Sequence, residues 1–210
     1  MQLALFVVGF FSAIVYGSFF EWALHRFLMH KRIPFFPYPF KAHALVHHRL
    51  FKADFTYHVQ RPGDEADIPM AWWNGPALVA VASLPFAAAS AWAGSVWLVG
   101  GAALAIAAYY GAYEYLHWCM HKPRDRRVER AGLFFRLNGH HLLHHRYMGK
   151  NFNVVLPLAD LCLRTLLARS PVRFAQATGP SVPNVQPLHT TEDRHPPGRP
   201  LAHCPTAPTP

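Results

Sequence analysis

Twelve of the 15 histidines lie in two segments, residues 21–58 and 117–145. Eleven of these form four clusters. EWALHRFLMH places His25 and His30, HALVHH places His43, His47 and His48, HWCMH places His117 and His121, and GHHLLHH places His140, His141, His144 and His145. Neutral imidazole is the commonest protein ligand for transition metals, because its ring nitrogen is a good donor near neutral pH. Residues four apart on a helix share a face, as do His43/His47, His117/His121, His140/His144 and His141/His145. Adjacent histidines, 47/48 and 144/145, point about 100° apart, so one helix can serve two ions. The doubled arrangement therefore predicts two metals. His25 and His30 are five apart, about 140° from a common face; either they reach different ions or the helix bulges between them. One such pair alone is commonly an ordinary core or surface feature. Four clusters together predict a metal site with His25, His30, His43, His47, His48, His117, His121, His141, His144 and His145 as ligands. His58 and His140 are further candidates, as ligands or as groups that support one.

Two carboxylates stand at helical spacing from this set. Glu21 is four residues before His25 and Glu114 three before His117, so each could accept the ring N–H of a ligand. The plainer alternative is that both sit at an interface and meet water. Asp54, Tyr57, Asn138 and Asp160 are weaker candidates for the same support. Cys119, Cys162 and Cys204 are scattered and odd in number, which implies no disulfide framework; Cys119 reads as a buried thiol more readily than as a ligand. No HExxH pairs a general base with a compact ligand set, which disfavours zinc hydrolysis.

The elements that must carry these residues are apolar. Hydrophobic residues make up 52% of the 210-residue chain and charged ones only 15%, against about 25% charged in soluble domains. Residues 3–20 contain no charge and run on into EWALH, as one helix long enough to cross a bilayer; no basic residue precedes the run, unlike a signal peptide. Pro34, Pro37 and Pro39 break the chain after His30, and a second helix over about 40–52 carries HALVHH. PGDEAD (62–67) is a turn. Residues 72–92 and 95–116 are two more apolar runs, separated only by Ala93-Gly94, and predict a membrane hairpin or one crossing with one re-entrant arm. Pro85 is tolerable there, and small residues let the helices approach closely. Trp22, Trp72, Trp73 and Trp118 fall at span ends, where interfacial anchoring accounts for them. Residues 151–170 read as an amphipathic segment lying against the domain or the interface.

The fold class expected is therefore all-α: an integral membrane protein with about three transmembrane helices and a cytoplasmic histidine-rich cap. Three crossings place all four clusters on one side. All 20 Lys and Arg, from Arg26 to Arg199, fall on that same side, and positive charge marks the cytoplasmic face. The N-terminus is expected outside, the histidines and C-terminus inside. The formal charge of +9 fits this topology, and no nucleic-acid motif accompanies it. Residues 1–170 form the expected domain. Residues 171–210 are rich in Pro, Thr and Ala and read as a disordered tail, with His189, His195 and His203 as bystanders.

The four clusters resemble the membrane fatty acid hydroxylase/sterol desaturase superfamily, whose pattern is HX3–4H, HX2–3HH, HX3H and HX2–3HH. In this chain these correspond to His25/His30, His43/His47/His48, His117/His121 and His141/His144/His145. The likeness covers roughly residues 15–168, and EWALHRFLMH resembles the matching stretch of fatty acid 2-hydroxylases and carotenoid hydroxylases. The resemblance implies a di-iron centre, O2 as co-substrate, a lipid substrate and a separate electron donor of ferredoxin or cytochrome b5 type. The expected activity is lipid hydroxylation, by a non-haem oxidoreductase acting on a fatty acyl, sterol or carotenoid-like C–H bond. Desaturation on the same scaffold is the enzymatic alternative, and a membrane metal-binding or transport protein the non-enzymatic one. Histidine ligation suits iron, although the affinity order would also let zinc, nickel or copper bind.

Overall fold

The computed structural model describes residues 1–167, so the expected tail, its three histidines and Cys204 lie outside the described residues. Among these residues the fold is all-helical, with no strand. Helix α1 spans Gln2–Leu24 and continues into a π-helical turn, His25–Met29. A short composite helix follows: α2 at Tyr38–Phe40, a second π segment at Lys41–His47, then α3 at His48–Leu50. The acidic turn is a 3-10 turn at Asp64–Asp67, entered through Gly63 at φ 102°, a left-handed conformation that favours glycine. Helices α4 (Asn74–Trp92) and α5 (Trp97–His121) form the expected hairpin. Gly94 at φ 61° closes α4 and allows the short reversal. Helix α6 is Gly132–Arg146 and α7 only Leu158–Cys162.

Where the apolar runs predict three crossings, two helices are long and apolar enough to make one. These are Gln2–Met29, with mean hydropathy 2.1, and Asn74–Trp92, with 1.4. Helix α5 has the length, but its second half carries Tyr109, Tyr110, Tyr113, Glu114 and His117. It packs most closely on α1 and α4. Glycines set that contact: a Cβ on Gly9 would lie 2.1 Å from the carbonyl oxygen of Leu98, and one on Gly101 would lie 2.1 Å from that of Phe6. Backbone therefore touches backbone where α1 and α5 cross, the close approach that small residues permit between apolar helices. Ala13, Ala82, Ala102, Ala105 and Ile106 fill the space beside the crossing. A second core, under the histidines, holds Tyr57, Tyr113, Met120, Phe134, Leu137 and Val154.

Residues 151–167 lie against the domain, as expected of this segment, and are helical only at Leu158–Cys162. They form a buried strap in which Asn151, Asn153 and Asp160 are fully enclosed. The strap lies on the Ser18–Glu21–Trp22 face of α1. Ser18 donates to the carbonyl of Leu156 (2.6 Å), Glu21 accepts from the N–H of Val154 (2.6 Å), and the Trp22 indole donates to Thr165 (2.8 Å). A polar stripe on an otherwise apolar helix is satisfied this way, as burial demands.

Candidate metal centre

The ten histidines expected as ligands converge in two groups of five. His25, His30, His43, His48 and His144 form one, and His47, His117, His121, His141 and His145 the other. Within each group one nitrogen per ring lies within 4.8 Å of all the others. The first group draws on the end of α1, the composite helix and α6. The second draws on the composite helix, α5 and α6. They adjoin, with His43 stacked on His47 at 5.1 Å between ring centres and His48 tilted against His145 at 4.3 Å.

The two π segments decide how the rings are shared. The first closes with the N–H of His30 donating to the carbonyl of His25 (3.1 Å). Residues five apart then share a face, and the His25 and His30 rings stack at 5.1 Å. In the second, His43 meets His48, Nε2 to Nε2, at 3.0 Å. His47, expected on the face of His43, belongs to the other group instead. On α5 and α6 the four-residue spacing holds: His117 joins His121, and His141 joins His145. His144 and His145 face opposite groups, as adjacent residues should.

Backbone carbonyls fix the ring tautomers. Phe152 on the strap and Lys150 just before it meet Nδ1 of His25 (2.5 Å) and His144 (2.8 Å). Asp67, Tyr57 and Phe51 meet Nδ1 of His47 (3.1 Å), His121 (2.7 Å) and His145 (2.5 Å). A carbonyl only accepts, so these five Nδ1 atoms carry the proton and their Nε2 lone pairs point inward. Protons alone do not reconcile the interior. His141 Nε2 faces lone pairs of both His121 (3.1 Å) and His145 (3.0 Å), and its single proton serves one of them. His144 Nε2 offers one lone pair to both His30 (3.0 Å) and His48 (3.1 Å). A cation at the centre of each group satisfies every ring at once.

The spacing fits such an ion. With metal–imidazole bonds of about 2.1 Å, ligands at right angles lie about 3.0 Å apart, whereas tetrahedral ones lie about 3.4 Å apart. The Nε2 pairs lie at 2.8–3.2 Å. Five imidazoles per group exceed the closed four-coordinate set of structural zinc. The rings are also in ligating form. Burial pushes His30 and His47 down to about 4 and His144 to about 3, and burial with the neighbouring imidazoles holds His43, His141 and His145 low as well.

The supporting residues differ from expectation. Glu21 does not reach His25; it accepts from Tyr109 (2.7 Å), Asn153 (3.0 Å) and Val154, because the strap carbonyl of Phe152 already holds that ring. Glu114 accepts from Tyr110 (2.7 Å), not from His117, whose Nδ1 is buried without a hydrogen-bond partner. His58 is exposed and stands outside both groups. His140 is buried but turns away, its Nε2 on Asp160 at 3.0 Å. Asp54 caps the turn at Thr56 (2.8 Å), and Tyr57 donates to Asn138 (2.8 Å). Cys119 is a buried free thiol outside both groups.

A narrow apolar cleft of about 70 Å³ runs between α1, α4 and α5, lined by Tyr16, Phe20, Leu24, Leu78, Ala82 and Ile106, with His25 at its wall. A second apolar cleft shares Phe20, Leu24, Met29, Met70, Asn74 and Leu78 with it. A more polar opening, lined by Tyr38, Asp67, His43 and His47, reaches one ring of each group. No protein-family model, curated protein or solved structure matches the chain.

Proposed function

We propose that this chain is a membrane-bound dimetal oxygenase that uses O2 to hydroxylate a lipid. One observation carries the reading: two five-imidazole groups, lone pairs inward, adjoin each other, and one of them borders a hydrocarbon-lined cleft. The two groups would hold iron, which when bound would supply the O2 activation and C–H oxidation that no side chain of the site can perform. The protein's part is to bind and orient. Leu24, Leu78, Ala82 and Ile106 would hold an alkyl segment, gaining about 0.8 kcal/mol per buried CH2, and keep water from the His25 side. The hydroxyls of Tyr109 and Tyr110 are engaged by Glu21 and Glu114, so these walls of the cleft present little free polarity. The polar opening at His43 and His47 would give a separate donor protein an approach to one ring of each group.

The membrane setting rests on the outward faces of α1 and α4. Only 22% and 17% of their most apolar windows are buried, and Val8, Phe11, Val81 and Leu84 point outward. Lipid accounts for such faces better than water does. The distribution of lysines and arginines supports a cytoplasmic side for the histidine groups.

Lipid mass spectrometry tests the activity. Cells lacking the protein are complemented with the wild-type chain or with His144→Ala. The reading expects a lipid heavier by one oxygen with the wild type only; equal product from His144→Ala would overturn it.

A further inference from the structure

The two groups are braced by different pieces of chain. The second takes its carbonyl acceptors from Phe51, Tyr57 and Asp67, all in the segment before α4. The first takes Phe152 from the strap and Lys150 from the residue that leads into it. The strap, in turn, is folded around one carboxylate. Asp160, fully enclosed, accepts from the N–H groups of Phe152 (3.0 Å) and Asn153 (2.8 Å), the hydroxyl of Thr165 (2.6 Å) and Nε2 of His140 (3.0 Å). Asn153 returns the bond, its Oδ1 accepting from the N–H of Asp160 (3.1 Å). Burial alone would raise the Asp160 pKa, but these hydrogen bonds outweigh it and hold the carboxyl below its ordinary value. The N–H of Phe152 is thus gripped by Asp160 while its carbonyl grips His25.

Resting on the dimetal reading above, we propose that Asp160 is a positioning residue for one ion only: it clasps the strap that fixes His25 and His144, and the second ion loads without it. The carboxylate is needed because all four of its partners donate. Each oxygen takes two donors, so Asp160→Asn turns an amide NH2 toward two of them in either orientation and loses both.

The full chain, purified in detergent, decides this by metal content. Iron per chain is measured by mass spectrometry, and the chelator-stripped protein is titrated with Co2+. The wild type is expected to hold two ions and Asp160→Asn one, with helical circular dichroism unchanged. Thr165→Val, which removes one donor to Asp160, is expected to weaken one Co2+ phase about tenfold or more and leave the other alone; it decides the matter if Asp160→Asn does not fold. Two ions in a folded Asp160→Asn, loss of both, or two unshifted phases in Thr165→Val would overturn the proposal. A wild type that holds fewer than two ions would instead remove the dimetal reading, and this inference with it.

Discussion

Nε2 of His25 and Nε2 of His43 face each other at 2.8 Å across 18 residues of sequence. His25 holds its proton on the other nitrogen, against the carbonyl of Phe152. Its lone pair is therefore aimed at a point shared with four more rings, at the spacing of a coordination sphere. The measurable consequences follow from that arrangement.

Removing metal should weaken the fold. Competing lone pairs in a buried site repel, and an ion that binds only the folded chain adds about 4 kcal/mol at a thousandfold excess over its dissociation constant. At about 2–4 °C per kcal/mol, thermal melting of the chelator-stripped protein should fall by about 10 °C and recover when metal is returned. An unchanged melting temperature would contradict this.

Acid should act in the same direction on the metal-free chain. His30 and His47 titrate near 4 and His144 near 3 in the fold, against 6.5 unfolded. The unfolded chain then binds more protons below pH 6.5, so the stability contributed by these neutral rings is complete above 6.5 and is lost as pH falls toward 4. Circular dichroism of the stripped protein should show acid unfolding within that window, and bound metal should move the midpoint lower.

The α1–α5 crossing can be probed at single methyl resolution. Gly9→Ala places a Cβ against the carbonyl of Leu98, and Gly101→Ala against that of Phe6. Each should cost about 1–3 kcal/mol, since neither backbone can yield without moving a helix. Gly100→Ala meets nothing within 4 Å and should be neutral or slightly stabilising in the same melts.

The histidine clustering was legible because imidazole chemistry and helical spacing are both written in residue types. The sharing of rings was only half legible. His141 with His145 follows the regular helix, but His43 pairs with His48 because a π segment re-phases Lys41–His47, and no propensity marks such a turn. The carbonyls that orient the rings left no trace at all, since every residue carries one. Glu21 and Glu114 showed the converse: spacing allowed each to support a ligand, yet the strap and Tyr110 claimed them. The strap's only hint was NFN at 151–153, where Asn151 adopts φ 56°, a conformation asparagine tolerates. The third span was legible only in its first half, because α5 carries tyrosines, Glu114 and site residues in its second half and so falls short of the hydropathy of α1 and α4.

The cleft makes a prediction separable from the metals. Leu78 lines both apolar clefts, and Leu78→Trp should obstruct an alkyl chain. Oxidised lipid should fall about tenfold, or shift to shorter chains, with metal content still at two ions per chain. Unaltered yield and chain length would place the substrate elsewhere.

The central claim is tested most directly by X-ray absorption of the iron-loaded protein, combined with its metal stoichiometry. Two ions per chain, each in a nitrogen shell with the outer-shell scattering of imidazole, is the predicted result. Less than one ion per chain, or a shell dominated by sulfur or carboxylate oxygen, would contradict it.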